Sequence, residues 1–355
     1  MQVELPISRL CLTESEPGDK MTVPLNEVLR DRKITVCYRP IEALKGKVHV
    51  VTSMLCDAGY RVTQVSNQCL DLKGTDMVLM LTNANWFPKT CKQLRTTPRS
   101  ERPFTAIWHA EPLPPPKSAG LPQPLLNLRE IGKMLLRDRR ATDVYTNYFR
   151  LRTLNEDGIP DLLLTTTPGR QEFLAEQGLA STFIPLGYHP SEDGYDLGLE
   201  RDIEVLFLGA LNIPRRKRLF RILRRSGIRL VAKGSWHDPD LWGERRNRLL
   251  SRSKIFLNLQ RYPGELAGMR LIMGMANRSL VISEPIYKPG GFIPGKHYVS
   301  AESDEMPKII EYYLNREDER EHIATEGHNF VTRDLTLEKS ISSILRLIAE
   351  RIGHQ

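Results

Sequence analysis

Glu265 and Arg270 stand five residues apart at the head of the stretch GELAGMRLIMGMANRSLVISE, Gly264 to Glu284. A guanidinium can grip a diphosphate through two parallel hydrogen bonds, and a carboxylate can accept hydrogen bonds from sugar hydroxyls. The flanking Gly264 and Gly268 carry no side chain, so the backbone can approach whatever they serve. Taken singly, Glu265 reads as an exposed loop acid and Arg270 as a surface residue. What singles them out is their place directly after the apolar run KIFLNLQ, Lys254 to Gln260.

A second constellation lies in FLGALNIPRRKRLF. Gly209 closes an apolar run, Asn212 follows in the turn, and Arg215, Arg216 and Lys217 occupy the first turn of a helix begun by Pro214. The amides and the positive dipole end of a helix start favour an anion, and a phosphate or diphosphate would fit there. Basic residues on a helix commonly form only its solvated face, and Leu219, Phe220, Ile222 and Leu223 make the matching apolar stripe. Cations at a helix N-terminus oppose the dipole, however, so packing gives no reason for three of them there. Lys233 and Gly234, after the run IRLVA, could line the same pocket or form only a turn.

The third is IWHAEPLPPP, Ile107 to Pro116. Trp108 could stack on a sugar, and His109 or Glu111 could act as general base for a hydroxyl, if a partly dry cleft brings either near a neutral pKa. Core packing for Trp108, a satisfied polar contact for His109 and a loop position for Glu111 are the plain alternatives. Asp238 and Asp240 have D-x-D spacing, but in SWHDPDLWG they suit a helix cap better, and no metal site is expected.

These residues are carried by two alternating series. KITVCY, RVTQVS, DMVLMLT, FTAIWHA, DLLLTTT and STFIPLGY read as strands separated by helical patterns, among them GKVHVVTSMLCDAGY and a long helix near Leu125 to Asp138. EVLFLGA, IRLVAKG, KIFLNLQ and LVIS form the second series, followed by helices at Met306 to Leu314, Asp318 to Val331 and Leu337 to Ile352. Strands separated by helices imply right-handed crossovers and parallel sheets. The expected fold is α/β, with two Rossmann-like doubly wound domains facing across a cleft. The expected bounds are 1–188 for the first domain, 203–335 for the second, and 336–355 for a terminal helix packing back on the first, with Tyr188 to Asp202 as linker.

Composition excludes several classes. With 355 residues, 40% hydrophobic and 26% charged, the chain is sized for two ordinary domains and is not of disordered type. No run approaches the ~18 apolar residues of a membrane span, and no leader pattern opens the sequence, so a cytoplasmic protein is expected. The five cysteines, Cys11, Cys37, Cys56, Cys69 and Cys91, are odd in number and lack C-x-x-C spacing, which supports neither disulfides nor zinc. Net charge is +8, and nine Lys or Arg with no acid fall between Val205 and His237. So local a block indicates an anion site rather than a polyanion surface, and nucleic-acid binding is the weaker reading.

From about Glu204 to Leu345 the sequence resembles the donor domain of glycosyltransferases with the GT-B fold, most of all the spore-maturation-type branch. The resemblance rests on FLGALNIPRRKR, MRLIMGMANRSLVIS, FIPGKHYVSAESDEMPKIIEYYLN and REDEREHIATEGHNFVTRDLTLEKSISSIL, in that order. The first half is similar to the acceptor domain only in its alternation and in IWHAEP. The resemblance implies a metal-independent hexosyltransferase without cofactor, which moves a sugar from a nucleotide-diphosphate donor to an acceptor hydroxyl in the interdomain cleft. The donor would be held by Gly209, Asn212, Arg215, Arg216, Lys217, Lys233 and Arg270, with Glu265, His109 and Glu111 at the chemistry. One departure stands out. The family often carries E-x7-E, whose second acid holds the ribose, and Met273 stands at that place here. A catalytically degenerate sugar- or nucleotide-binding protein is therefore the alternative.

Overall fold

The computed structural model describes residues 27–38, 42–82, 87–125, 128, 131–132, 144–234 and 241–353. Most of the helix expected from Leu125 to Asp138, Cys11 and the pair Asp238 and Asp240 lie outside these residues.

Two fully parallel sheets organise the chain. The first has the order β2-β1-β3-β4-β5-β6, from β1 (Lys33–Cys37), β2 (Arg61–Val65), β3 (Met77–Thr82), β4 (Phe104–His109), β5 (Leu162–Thr165) and β6 (Thr182–Phe183). The second has the order β11-β10-β9-β7-β8, from β7 (Ile203–Leu208), β8 (Leu230–Lys233), β9 (Ser253–Asn258), β10 (Leu280–Ser283) and β11 (Val299–Ser300). Their central strands are continuous apolar runs because helices cover both faces. Every residue of β4, β5 and β10 is buried, whereas the edge strand β2 is polar and largely exposed. The expected strand STFIPLGY shrinks to β6, since Pro185 has no N–H to continue the ladder.

In the first domain the sheet is flanked by α1 (Glu42–Asp57), α2 (Pro88–Thr96), α3 (Val144–Glu156) and α4 (Pro168–Glu176). The short α5 (Pro190–Asp193) follows, and then α6 (Pro214–Arg225), α7 (Gly243–Ser251), α8 (Gly268–Ala276), α9 (Met306–Leu314), α10 (Glu317–Asn329) and α11 (Leu337–Gly353). A π-helical turn, Phe330–Asp334, ends α10. The segment read as a linker is tied down on the second domain. Asp193 is buried, Arg246 donates to the Glu192 carbonyl, and Asn277 Nδ2 donates to the Asp193 carbonyl at 3.3 Å. Among the described residues the cysteines form no disulfide, and Cys37 and Cys91 are buried.

The chain crosses between domains twice, and the two crossings pair with each other. Tyr188 N–H donates to the Leu335 carbonyl and Leu337 N–H to the Tyr188 carbonyl, both at 2.8 Å. Beyond the second crossing α11 lies in the first domain's core, where Leu337, Ile341, Ile344 and Ile348 meet Ile34, Leu79 and Leu162. At the seam Gly187 has no room for a side chain: a Cβ there would fall 2.3 Å from the Thr336 and Leu337 backbone. The other interdomain seam runs along α4. Glu172 accepts from Tyr287 Oη at 2.9 Å and pairs with Lys288 at 2.8 Å, while a Cβ on Gly264 would strike Leu121 at 2.3 Å.

Forcing the two crossings apart should loosen both domains together. Gly187→Ala is expected to cost about 1–3 kcal/mol, the usual penalty of overpacking, read as an earlier urea midpoint. Gly353→Ala, with an ordinary φ and nothing near its missing Cβ, serves as the control for an added methyl without a clash.

Candidate functional site

In the second sheet β7 lies between β8 and β9, so the chain leaves it in one direction to β8 and in the other to β9. Such a switch point opens a crevice at the carboxyl ends of the strands, where folds of this kind bind ligands. Gly209, Leu259 and Glu284 each follow directly on a strand that ends there, namely β7, β9 and β10.

Two buried or half-buried arginines converge on one carbonyl in this crevice. Arg216 is 3% exposed and donates from Nε at 3.1 Å and Nη2 at 2.8 Å to the Leu259 oxygen, and from Nη1 to the Ala210 oxygen at 3.1 Å. Arg270 donates from Nη1 to the same Leu259 oxygen at 2.9 Å and to Asn258 Oδ1 at 3.0 Å. Asn258 is in turn fixed by Ser283 at 2.9 Å. Both guanidiniums lie over the Phe207 ring, 5.3 and 5.8 Å from its centre. Two like charges so close cost energy. Burial first, and Arg270 second, push the Arg216 pKa down to about 9, while burial also lowers that of Arg270.

Arg215 forms an ion pair with Glu284, which is 1% exposed. The Gln260 N–H and Ser303 Oγ donate to the same carboxylate, at 2.8 and 2.7 Å. With its acceptors so occupied, Glu284 orders the wall instead of reaching for a ligand. Glu265 sits across from Arg270 and is one of the charges that hold Arg216 and Arg270 cationic. Gly209 has φ 147° and a Cβ there would come within 3.2 Å of the Phe207 ring, so only glycine fits beneath the arginines. Its N–H donates to the Lys233 carbonyl at 3.0 Å, which places Lys233 at the rim.

Arg215, Arg216, Arg270, Glu265 and Gly209 thus come together, whereas Lys217 and Asn212 are exposed. The helical repeat explains Lys217: Arg216, Leu219, Phe220 and Leu223 face inward, which turns residue 217 to solvent.

The first domain contributes an unexpected group. Arg170, 9% exposed in the first turn of α4, donates from Nη1 to the Ala110 carbonyl at 2.8 Å and to Thr166 Oγ1 at 2.7 Å. Its Nη2 lies 3.9 Å from Glu265 Oε1 on the other domain. In sequence only its place after the strand DLLLTTT hinted at this, and no motif marked it. Two expectations fail here. Trp108 packs in the first domain's core with Nε1 donating to the Ile184 carbonyl at 3.1 Å, so it offers no stacking face to a sugar. His109 is fully buried with neither ring nitrogen in hydrogen-bonding geometry. Burial, then the charge of Arg170, drive its pKa down to about 3 against a weak opposing effect of the Glu111 backbone, far from the near-neutral value a general base needs. Glu111 is half-buried beside it.

Among the described residues no three His, Cys, Asp or Glu are grouped as a metal site, and no helix is long and apolar enough to cross a membrane.

Comparison with known proteins agrees with this geometry. Residues 215–346 match a family described as glycosyl transferase-like. Sucrose-phosphate synthase from Thermosynechococcus elongatus superposes with a TM-score of 0.59 at 11% identity, covering 91% of this chain and 100% of that one. Anabaena HepE, solved in complex with UDP and glucose, gives 0.54 at 12% identity, with 90% and 100% covered. A search by sequence finds no matching curated protein. The chain thus shares the two-domain fold of these solved structures, and its second domain is similar to a glycosyl transferase-like family. The spore-maturation branch is not singled out by these matches.

The neutral His109 has a consequence for stability. Its pKa is about 3 in the folded chain and near its ordinary 6.5 when unfolded, so between these values the unfolded state binds more protons. Stability is therefore whole above pH 6.5 and falls as pH drops, by on the order of 2 kcal/mol at pH 5. Urea unfolding between pH 5 and 8 should show this slope, and His109→Gln should remove its part of it.

Proposed function

We propose that the protein transfers a sugar from a nucleotide-diphosphate sugar to an acceptor hydroxyl, with the diphosphate lodged against Arg216 and Arg270. The carrying observation is the convergence of these two guanidiniums on the Leu259 carbonyl at the switch point. Arg270 has five donors and, among the described residues, spends Nη1 alone on hydrogen bonds, which leaves Nε and Nη2 for phosphate oxygens. A dianion there offsets the repulsion between the arginines, and negative charge growing on the departing diphosphate strengthens the same contacts, so the transition state gains more than the ground state. That HepE is a complex with UDP and glucose supports this choice of ligand.

In this reading Glu265 takes sugar hydroxyls and Glu111 is the better placed base, since His109 stays neutral and enclosed. The fixed arginines supply the neutralisation, and the reaction needs no cofactor beyond the donor. Gly209 and Lys233 line the donor pocket, with Lys217 and Asn212 outside it. Among the described residues Cys37, Cys56, Cys69 and Cys91 form no disulfide, which suits a reducing compartment, and we place the protein in the cytoplasm.

A degenerate binding protein is the second reading, and Met273 favours it. That side chain is buried in the second domain's core, so the position supplies nothing to a ribose.

UDP or GDP should raise the melting midpoint of the wild type, by the equivalent of about 2.7 kcal/mol at a hundred times Kd. Arg270→Ala should weaken that binding by ~2–5 kcal/mol, since it removes one partner of a buried charged contact. No shift with either nucleotide would refute the reading. Turnover of UDP- or GDP-hexoses in a hydrolysis assay separates the enzyme from its binding-only alternative.

A further inference from the structure

We infer that Arg170 of the first domain positions Glu265 of the second, so that the sugar-facing part of the site is complete only while the two domains are apposed. The catalytic half of this inference rests on the reading of the preceding subsection; the pairing itself rests on geometry alone.

Arg170 is built to point across the cleft. Thr167 caps α4, its hydroxyl accepting from Arg170 N–H at 3.2 Å, so the first turn is held at the carboxyl end of β5. Nη1 is then consumed twice over within the first domain, by the Ala110 carbonyl and Thr166 Oγ1. With two bonds fixing one nitrogen, the plane of the guanidinium is set and Nη2 faces Glu265. A buried cation needs an anion. Glu265 is the stronger of its two acidic neighbours, ahead of Glu111 from its own domain.

Among the described residues, the Glu265 carboxylate in turn has no hydrogen-bonded anchor on its own side. It stands in a turn whose backbone is pinned, with Gly264 N–H on Gln260 Oε1 at 2.8 Å and Glu265 N–H on the Tyr262 carbonyl at 3.2 Å. The cations facing its carboxylate are Arg216 and Arg270 from the second domain and Arg170 from the first. The first two are committed to Leu259 and, in the proposed reaction, to the diphosphate. Arg170 is the cation left to orient the carboxylate once the nucleotide is bound. At 3.9 Å the contact is an ion pair and not a hydrogen bond, so Glu265 keeps its acceptors for hydroxyls.

Apposition of the domains is what brings this cation in. The Glu172 contacts to Tyr287 and Lys288, two residues along the same helix, hold α4 to the second domain at the same edge. Opening that edge would leave Arg170 with Glu111 and Glu265 without its orienting charge.

The test is a double-mutant cycle with Arg170→Met, Glu265→Gln and the pair of substitutions together, with Arg170→Lys as the conservative variant. In the unliganded protein the melting shifts of the two single variants should fail to add, by at least about 2 °C. Affinity for bare UDP or GDP should stay within about 3-fold in Arg170→Met, since that contact is on the far domain. Hydrolysis of UDP- or GDP-hexoses should fall at least about 10-fold in kcat, with little further loss when Glu265→Gln is added and partial recovery in Arg170→Lys. Additive melting shifts would overturn the pairing even if nucleotides bind well. Loss of bare-nucleotide affinity along with kcat would overturn the positioning role in favour of a structural one. Coupled melting in a protein that no nucleotide stabilises would instead strike down the proposed function, and with it the catalytic half of this inference.

Discussion

The carbonyl of Leu259 is the point on which the site turns. One oxygen with two lone pairs accepts from both Arg216 and Arg270, and this shared anchor brings two guanidiniums together in a half-dry crevice. Phe207 supplies the ring beneath them, Asn258 and Ser283 brace Arg270, and Gly209 leaves the space they fill. Each of these belongs to, or directly follows, a central strand of the second sheet, so the rigidity of the parallel sheet is passed to the cations. Positive charge is thereby placed before a ligand arrives, and no side chain must be reorganised when charge develops.

Much of this was legible in sequence, for a simple reason. Short apolar runs such as LVIS and EVLFLGA, alternating with helical patterns, fit buried parallel strands, and a glycine followed by a basic helix start marks the strand end where such sheets bind anions. Arg215, Arg216, Arg270 and Glu265 follow from those two rules together. Lys217 did not, because a run of three cations looks uniform in sequence while a helix turns each neighbour by about 100 degrees. Asn212 was placed by proximity alone and lies on the exposed side of the turn.

Other features were illegible because they depend on contacts across the fold. Trp108 and His109 alternate faces of β4, and nothing local distinguishes a strand end that opens to a cleft from one roofed by a neighbouring helix. Here Ile184 takes the indole N–H and Arg170 lies close to the imidazole. Arg170 itself belongs to no recognisable pattern, since its partners come from residues 110, 166 and 265. The segment from Tyr188 to Asp202 has the composition of a linker, yet Arg246 and Asn277 bind its carbonyls and make it part of the second domain's surface.

Polar composition records only that a segment does not form a core; whether it is mobile depends on what its backbone bonds to. The same distinction explains how the chain can join two domains and still keep its site in register. Tyr188 and Leu337 exchange backbone hydrogen bonds where the two crossings meet, while among the described residues the edge along α4 is held by side chains, Arg170 and Glu172 among them. The Glu172–Lys288 pair is half-exposed, worth little by itself and readily broken, whereas paired backbone at a glycine with no space for a Cβ is not. A ligand that adds negative charge between Arg216 and Arg270 and engages Glu265 would act on the weaker of these two seams.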